Sequence, residues 1–338
     1  MLRVSFNELK EEIKRVLVKK GFTNDRAEEC AQLFAESSLD GVYSHGLNLV
    51  PRFVEYIDKG WINIHARPAR VDRLGAVERY DGHFGPGNLN AKFCMQRAVE
   101  IARENVIGMV TIKNTNHWGR GGNYGWQAAN EGCIGICWTN TEALMPPWGA
   151  KEPKIGNNPL VLGIPRENGH IVLDMAMSQF SYGKLGMARL NREALPIDGG
   201  FDSNGNLTKD PKAIEESRRI LPTGYWKGSG LAILLDLIAA ITSGGLSTYE
   251  VDNIQPEPGV GCYGISQVFI AIDPINMSGN NFIEKTVNDT INYLHQTTSA
   301  DGNDGVFYPG ERTIERRKEN MQKGIPCDEG IWAKLLEM

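Results

Sequence analysis

The chain predicts an α/β fold, and three observations carry that prediction. Helical patterning occupies both ends, up to about residue 75 and again beyond about residue 280. Between them, short β-rich runs alternate with helical stretches. Several of those runs are apolar without alternation, as strands covered on both faces are. With 338 residues, the chain exceeds what one small core organises. Residues 1–75 together with 281–338 are therefore expected to form a helical domain built from both termini, and 76–280 an α/β sheet domain.

Ser5 with Glu8 forms a capping-box pattern ahead of an amphipathic stretch that stops at Gly21. Asp25 with Glu28 repeats the pattern before Ala27, Cys30, Ala31 and Phe34 at helical spacing. After SLDGVYSHG comes a Pro-interrupted helical stretch, PRFVEYIDKG, closed by Gly60. Asn90 is suited to cap a helix running to about Asn105, which the strand VIGMVTI follows. A Gly-rich loop, a short helix around Trp126 and the strand CIGICWTN come next. NPLVLGIP, HIVLDMAM and YGISQVFIAID read as central strands, and SGLAILLDLIAAIT, apolar all round, as a buried helix. The last helices are NFIEKTVNDTINYLHQ, TIERRKENMQKG and DEGIWAKLLEM.

Thirty-six basic against 41 acidic residues give a net charge of −5, which provides no field for a phosphate backbone, so no nucleic-acid partner is expected. The longest apolar run, Leu231 to Ile241, is broken by Asp236 and falls short of the ~20 residues a bilayer needs, so no membrane partner is expected. The charged start MLRVSFNELKEEIKR has no signal-peptide core, which makes the cytoplasm the expected compartment. Cys30, Cys94, Cys133, Cys137, Cys262 and Cys327 form no disulfide framework and are expected to be reduced.

Phosphate-loop, nucleophile-elbow and H-E-x-x-H motifs are all missing, and the six histidines show no metal-ligand spacing. A G-x-G-x-x-G fingerprint is missing too, because Gly119, Gly121, Gly122 and Gly125 are wrongly spaced. What remains are polar segments dense in functional groups. In GVYSHGLN, His45 lies where a loop enters a helix, and its imidazole could trade a proton near neutral pH or simply make one structural hydrogen bond. KNTNHWGRGGNYGW places Lys113, Asn116, His117 and Arg120 in one loop after a strand, a ligand crevice or a self-bonded turn. A structural role suffices for TNTEALMPPWGAKEPKIGNNP, where Pro146, Pro147, Gly149 and Pro159 fix an irregular backbone. In GYWKGSG, Lys227 lies near a helix N-terminus, which suits an anion.

Together these segments resemble the malate/L-lactate dehydrogenase family of nicotinamide oxidoreductases, a group separate from the Rossmann enzymes of similar name. The matching features are SHG at 44 to 46, NHWG at 116 to 119, GNNPL at 156 to 160, LDMAMS at 173 to 178, GYWKGSGL at 224 to 231, PGE at 309 to 311 and WAK at 332 to 334. GVYSHG, GICWTN, MPPWGAKE and FSYG narrow the resemblance to members that reduce sugar-derived 2-keto acids. The resemblance implies a homodimeric cytoplasmic enzyme with its cofactor on a non-Rossmann sheet domain, completed by a helical domain. It implies His45 as proton donor, and cofactor contacts at His170, Ile171, Val172, Leu173, Asp174, Met175, Ala176, Trp226, Lys227, Gly310, Glu311 and Arg312. The small keto acid would meet Asn48, Arg52 and His117, and the reaction calls for no metal.

The implied cofactor is NADH, with NADPH as the alternative. An acid, Asp174 or Glu311, would bind ribose hydroxyls and repel a 2′-phosphate, whereas Arg312 and Lys227 pull the other way. One departure stands out, because members commonly carry arginine four residues after the SHG histidine and Leu49 is found here. If 45 to 52 is helical, Asn48, Leu49 and Arg52 share a face with His45, and Arg52 is the candidate replacement. Two other outcomes stay open. One is turnover of malate, lactate, sulfolactate, ureidoglycolate or a cyclic imine acid, and the other is a catalytically lapsed sugar-acid binding protein.

Overall fold

The structure, a computed structural model, describes residues 2–254, 264–302 and 304–338. Cys262 and the first residue of the run YGISQVFIAID lie outside the described residues. β1 (Leu2–Val4) leads into α1 (Phe6–Lys19), where the Ser5 hydroxyl accepts the Glu8 amide at 3.2 Å. In α2 (Asn24–Leu39) the cap is Thr23, not Asp25, whose charge falls in the first turn and favours the positive end of the helix dipole there.

Residues 45 to 52 do not form one helix. Two 3₁₀ turns, Tyr43–His45 and Leu47–Leu49, precede α3 (Val50–Asp58). Gly46 separates the turns at φ −104°, ψ −124°. A Cβ there would sit 2.1 Å from the Ser38 hydroxyl and 2.7 Å from the Ser38 amide, so the close approach to α2 admits only glycine.

A strand replaces helix at β2 (Ala69–Leu74), which pairs with β3 (Val77–Asp81). β2 is an edge strand, exposed along most of its length, so no apolar period marks it. α4 (Gly87–Asn105) starts at Gly87 after Pro86 rather than at Asn90. The Asn90 amide is used elsewhere, donating to the Thr115 hydroxyl at 2.9 Å and so tying α4 to β4 (Ile107–Thr115).

Then follow α5 (Gly122–Asn130), β5 (Ile134–Thr139), β6 (Leu160–Ile164), β7 (Ile171–Met175), α6 (Tyr182–Asn191), the β8 (Gly200–Phe201) and β9 (Leu207–Thr208) pair, and α7 (Pro211–Ser217). The chain continues through α8 (Trp226–Ser243), α9 (Thr248–Asn253), β10 (Ile265–Ile272), α10 (Ile275–Ser278), α11 (Asn280–His295), α12 (Glu311–Lys323), β11 (Ile325–Cys327) and α13 (Glu329–Glu337).

The main sheet has the order β2-β3-β4-β10-β5-β6-β7. Only β3 and β4 run parallel, and every other neighbouring pair is antiparallel. β10 takes the central place expected of it, whereas β7 is an edge strand. Side chains alternate across the sheet. Val110, Cys137 and Phe269 meet α4 and α5 on one face, while Trp138 and Val268 meet α8 on the other.

A separate core joins α1, α2 and α3 to Ile325, Cys327, Trp332 and Leu335 near the C-terminus, and β1 pairs with β11. α11 instead bonds the turn between β6 and β7, through Arg166 to Asn288 at 2.8 Å and the Glu167 amide to Glu284 at 3.0 Å. The five cysteines described are free and buried.

α8 is not buried all round. Ala232, Leu235 and Ala239 pack on the sheet, but Leu231, Ile233, Leu234, Leu237, Ile238 and Ile241 are exposed. The helix extends past the apolar run, to 18 residues of mean hydropathy 1.3, long and apolar enough to cross a membrane by length and composition. Within the fold 44% of it is buried, and Asp236 accepts hydrogen bonds from Asn140 and the Thr248 amide, both at 2.8 Å.

Candidate active site

His45, in the turn after α2, and His117, in the loop after β4, stack with ring centroids 5.7 Å apart and planes 17° from parallel. Gly46 ends the turn that carries His45, which faces Leu33, Phe34 and Ser37 of α2, and its Nδ1 engages the Ser44 hydroxyl at 2.9 Å. His117 follows β4 in a loop held by Asn116, whose side-chain amide donates to the carbonyls of Phe84 at 2.9 Å and Gly85 at 3.1 Å. The Gly119 amide donates to His117 Nδ1 at 3.1 Å, so a neutral His117 carries its proton on Nε2.

Burial pushes the His45 pKa below 6.5, Asp174 pulls it back up, and Arg52 and Arg120 lower it further. His117 is driven down to about 3, first by burial and then by the charges of His45 and Arg52. It is therefore neutral at physiological pH. Arg120 is buried and ion-paired with buried Asp40, which Arg317 of α12 also reaches at 2.8 Å. Neither this network nor the Ser44 contact was foreseen, and the separation of Asp40 from Arg120 in the chain leaves no local pattern that would show it.

The cleft is lined by His117, Arg52 and Leu49, with Phe34, Phe53 and Ile62 forming an apolar wall. Asn48 is not part of that lining. Of the implied cofactor residues, His170 to Ala176 are β7 and its flanks, and the other two segments converge on it. The Val172 amide donates to the Pro309 carbonyl at 2.9 Å, which lays Gly310, Glu311 and Arg312 beside the strand. The Thr223 amide donates to the Met177 carbonyl at 2.8 Å, which brings Trp226 and Lys227 to the strand's end.

Side chains in these segments are partly committed. His170 accepts the Arg166 amide on Nδ1 at 3.1 Å and engages Asn130 through Nε2 at 2.9 Å. Asp174 accepts the Gly122 amide at 2.7 Å, and Glu311 the Tyr308 amide and His295 Nε2, both at 3.1 Å. Arg312 lies over the Phe307 ring at 4.1 Å. Both carboxylates that the sequence offers for NADH preference are thus already bonded within the protein.

The chain is 47% identical over 334 residues to a 2,3-diketo-L-gulonate reductase of Citrobacter koseri, covering 99% of each. Among solved structures, it superposes on malate dehydrogenase from Entamoeba histolytica with a TM-score of 0.94 at 26% identity, covering 99% of this chain and 96% of that one. It matches sulfolactate dehydrogenase from Methanocaldococcus jannaschii with a TM-score of 0.89 at 28% identity, with the same coverage. The sequence model of the malate/L-lactate dehydrogenases matches residues 4–336. The chain belongs to the malate/L-lactate dehydrogenase family and is an oxidoreductase.

Proposed function

We propose that the chain reduces a ketone of a sugar-derived 2-keto acid, 2,3-diketo-L-gulonate to 3-dehydro-L-gulonate, with NADH as cofactor and His45 as proton donor. The single observation that carries this reading is the stacked pair of imidazoles, one titratable and one held neutral, in a cleft where Asp174 of the β7 segment exerts its charge on His45. The relatives named for that reaction support the choice of substrate. NADPH is the alternative cofactor, favoured by Arg312 and by the engagement of Glu311 and Asp174.

The nicotinamide, when bound, supplies a hydride to the carbonyl carbon. Gly310 fits such a ligand, because its missing Cβ keeps the 309–312 segment close against β7. Ser44 occupies His45 Nδ1, leaving Nε2 to protonate the oxygen as it becomes alkoxide. His117, neutral with a proton on Nε2, can donate a second hydrogen bond to that oxygen without competing for the transferred proton. The chain acts in this reading as a cytoplasmic homodimer.

The test is NADH consumption with 2,3-diketo-L-gulonate alongside malate- and lactate-series keto acids. His45→Ala is expected to lower kcat by ~10²- to 10⁴-fold while the NADH dissociation constant stays within about twofold. Unchanged turnover in that variant removes His45 from the reaction.

A further inference from the structure

Arg52 sits on the first turn of α3 and lines the cleft beside His117. Among the described residues its guanidinium has no hydrogen-bond or ion-pair partner. Glu55 feels the Arg52 charge, but the neighbouring charges make their bonds to other groups. Glu55, on the next turn of α3, is held by Lys59 at 2.6 Å. Arg120 is matched by Asp40, and Asp174 is bonded to the Gly122 amide. Besides Tyr56, Asn88 and Asn116, the lining around Arg52 is apolar, with Leu49 only 7% exposed and packed into the helical core with Phe34 and Phe53.

Arg52 is exposed, so its hydrated guanidinium is open to an anion entering the cleft, and guanidinium holds a carboxylate through two parallel hydrogen bonds. From this geometry we infer that Arg52 binds the substrate's carboxylate. In a 2-keto acid the carbonyl is the atom next to that carboxylate, so anchoring at Arg52 delivers the ketone to the His45 and His117 pair rather than to the apolar wall. The inference rests on the proposed keto-acid reading and specifies how that site selects an acid over a simple ketone. It also has an electrostatic consequence. Arg52 depresses both imidazoles, so a carboxylate that neutralises it favours the protonated form of His45 at the moment substrate is bound.

The experiment compares Arg52→Gln and Arg52→Lys with the unmodified chain. Arg52→Gln is expected to raise KM for 2-keto acids by about ten- to a hundredfold, the worth of a charge-assisted pair. Its NADH dissociation constant, read by fluorescence, should not change, and its preference for a 2-keto acid over the corresponding methyl ester should collapse. Arg52→Lys keeps the charge without the planar fork and should recover part of the loss. A second readout uses oxamate, a non-reducible keto-acid mimic, titrated onto the enzyme–NADH complex by tryptophan fluorescence. Oxamate binding that weakens tenfold or more in Arg52→Gln supports the anchor even if the chain turns over no keto acid, an outcome that would overturn the proposed function alone. Equal oxamate affinity and an unaltered acid-to-ester ratio in Arg52→Gln overturn the anchor, whatever the turnover.

Discussion

Two histidines in contact have been given different proton chemistry by their partners. His117 is half-buried with Nδ1 filled by a backbone amide, and its pKa near 3 leaves it neutral throughout the working range. His45 is depressed by burial but supported by Asp174. Because reduction needs the imidazolium, kcat/KM should fall as pH rises through the His45 pKa in the free enzyme, which lies below 6.5. The inflection in kcat should lie higher, since bound carboxylate offsets Arg52. Asp174→Asn keeps an acceptor for the Gly122 amide but removes the charge that raises the pKa, so it should move the kcat/KM inflection to still lower pH. Rate profiles from about pH 4.5 to 8.5 decide this. A level profile assigns the proton to another group, and an unmoved inflection in Asp174→Asn removes its electrostatic part.

At the scale of elements, β7 collects the cofactor segments by close backbone approach. Gly310 has φ +95°, and a Cβ there would lie 3.1 Å from the Val172 amide nitrogen and 3.3 Å from its carbonyl oxygen, atoms fixed in a sheet. Gly310→Ala must therefore push residues 309–312 off the strand, at about 1 to 3 kcal/mol of local strain. NADH affinity, read by fluorescence titration, should fall at least tenfold, and an unaltered dissociation constant would separate this segment from the cofactor. Such approaches were only partly legible beforehand. Helices with an amphipathic period, such as α1 and α12, show themselves in local spacing, and so did the apolar run that becomes β10. The antiparallel order did not, because the insertion of β10 between β4 and β5 depends on pairing far along the chain. β2 carries no apolar face to read. His45 and His117 were each visible in their motifs, but their stacking depends on the packing of α2 and α4 beneath them, and Gly46 hid the break that orients His45.

For the molecule as a whole, the exposed face of α8 has the greatest consequence. Its inner residues pack on the sheet, yet Leu234 is 57% and Ile241 75% exposed, in a row with Leu231, Leu237 and Ile238. Contiguous apolar surface of this kind marks an interaction site, and a second copy of the chain is the partner the proposed homodimer supplies. A C2 contact would present this same face from both subunits. Sedimentation of the unmodified chain should give a dimer, and the double change Leu234→Glu with Ile241→Glu should give a monomer. The fold should survive, because neither side chain belongs to the buried set of α8, so Tm measured on the monomer reports a lost interface rather than a lost core. α8 begins with Trp226 and Lys227, at the end of β7, so covering its outer face would also steady those two residues. Monomerisation should then weaken NADH binding as well as association. If the double variant stays dimeric, the interface lies elsewhere; if it becomes a monomer with unchanged NADH affinity, assembly and cofactor binding are independent.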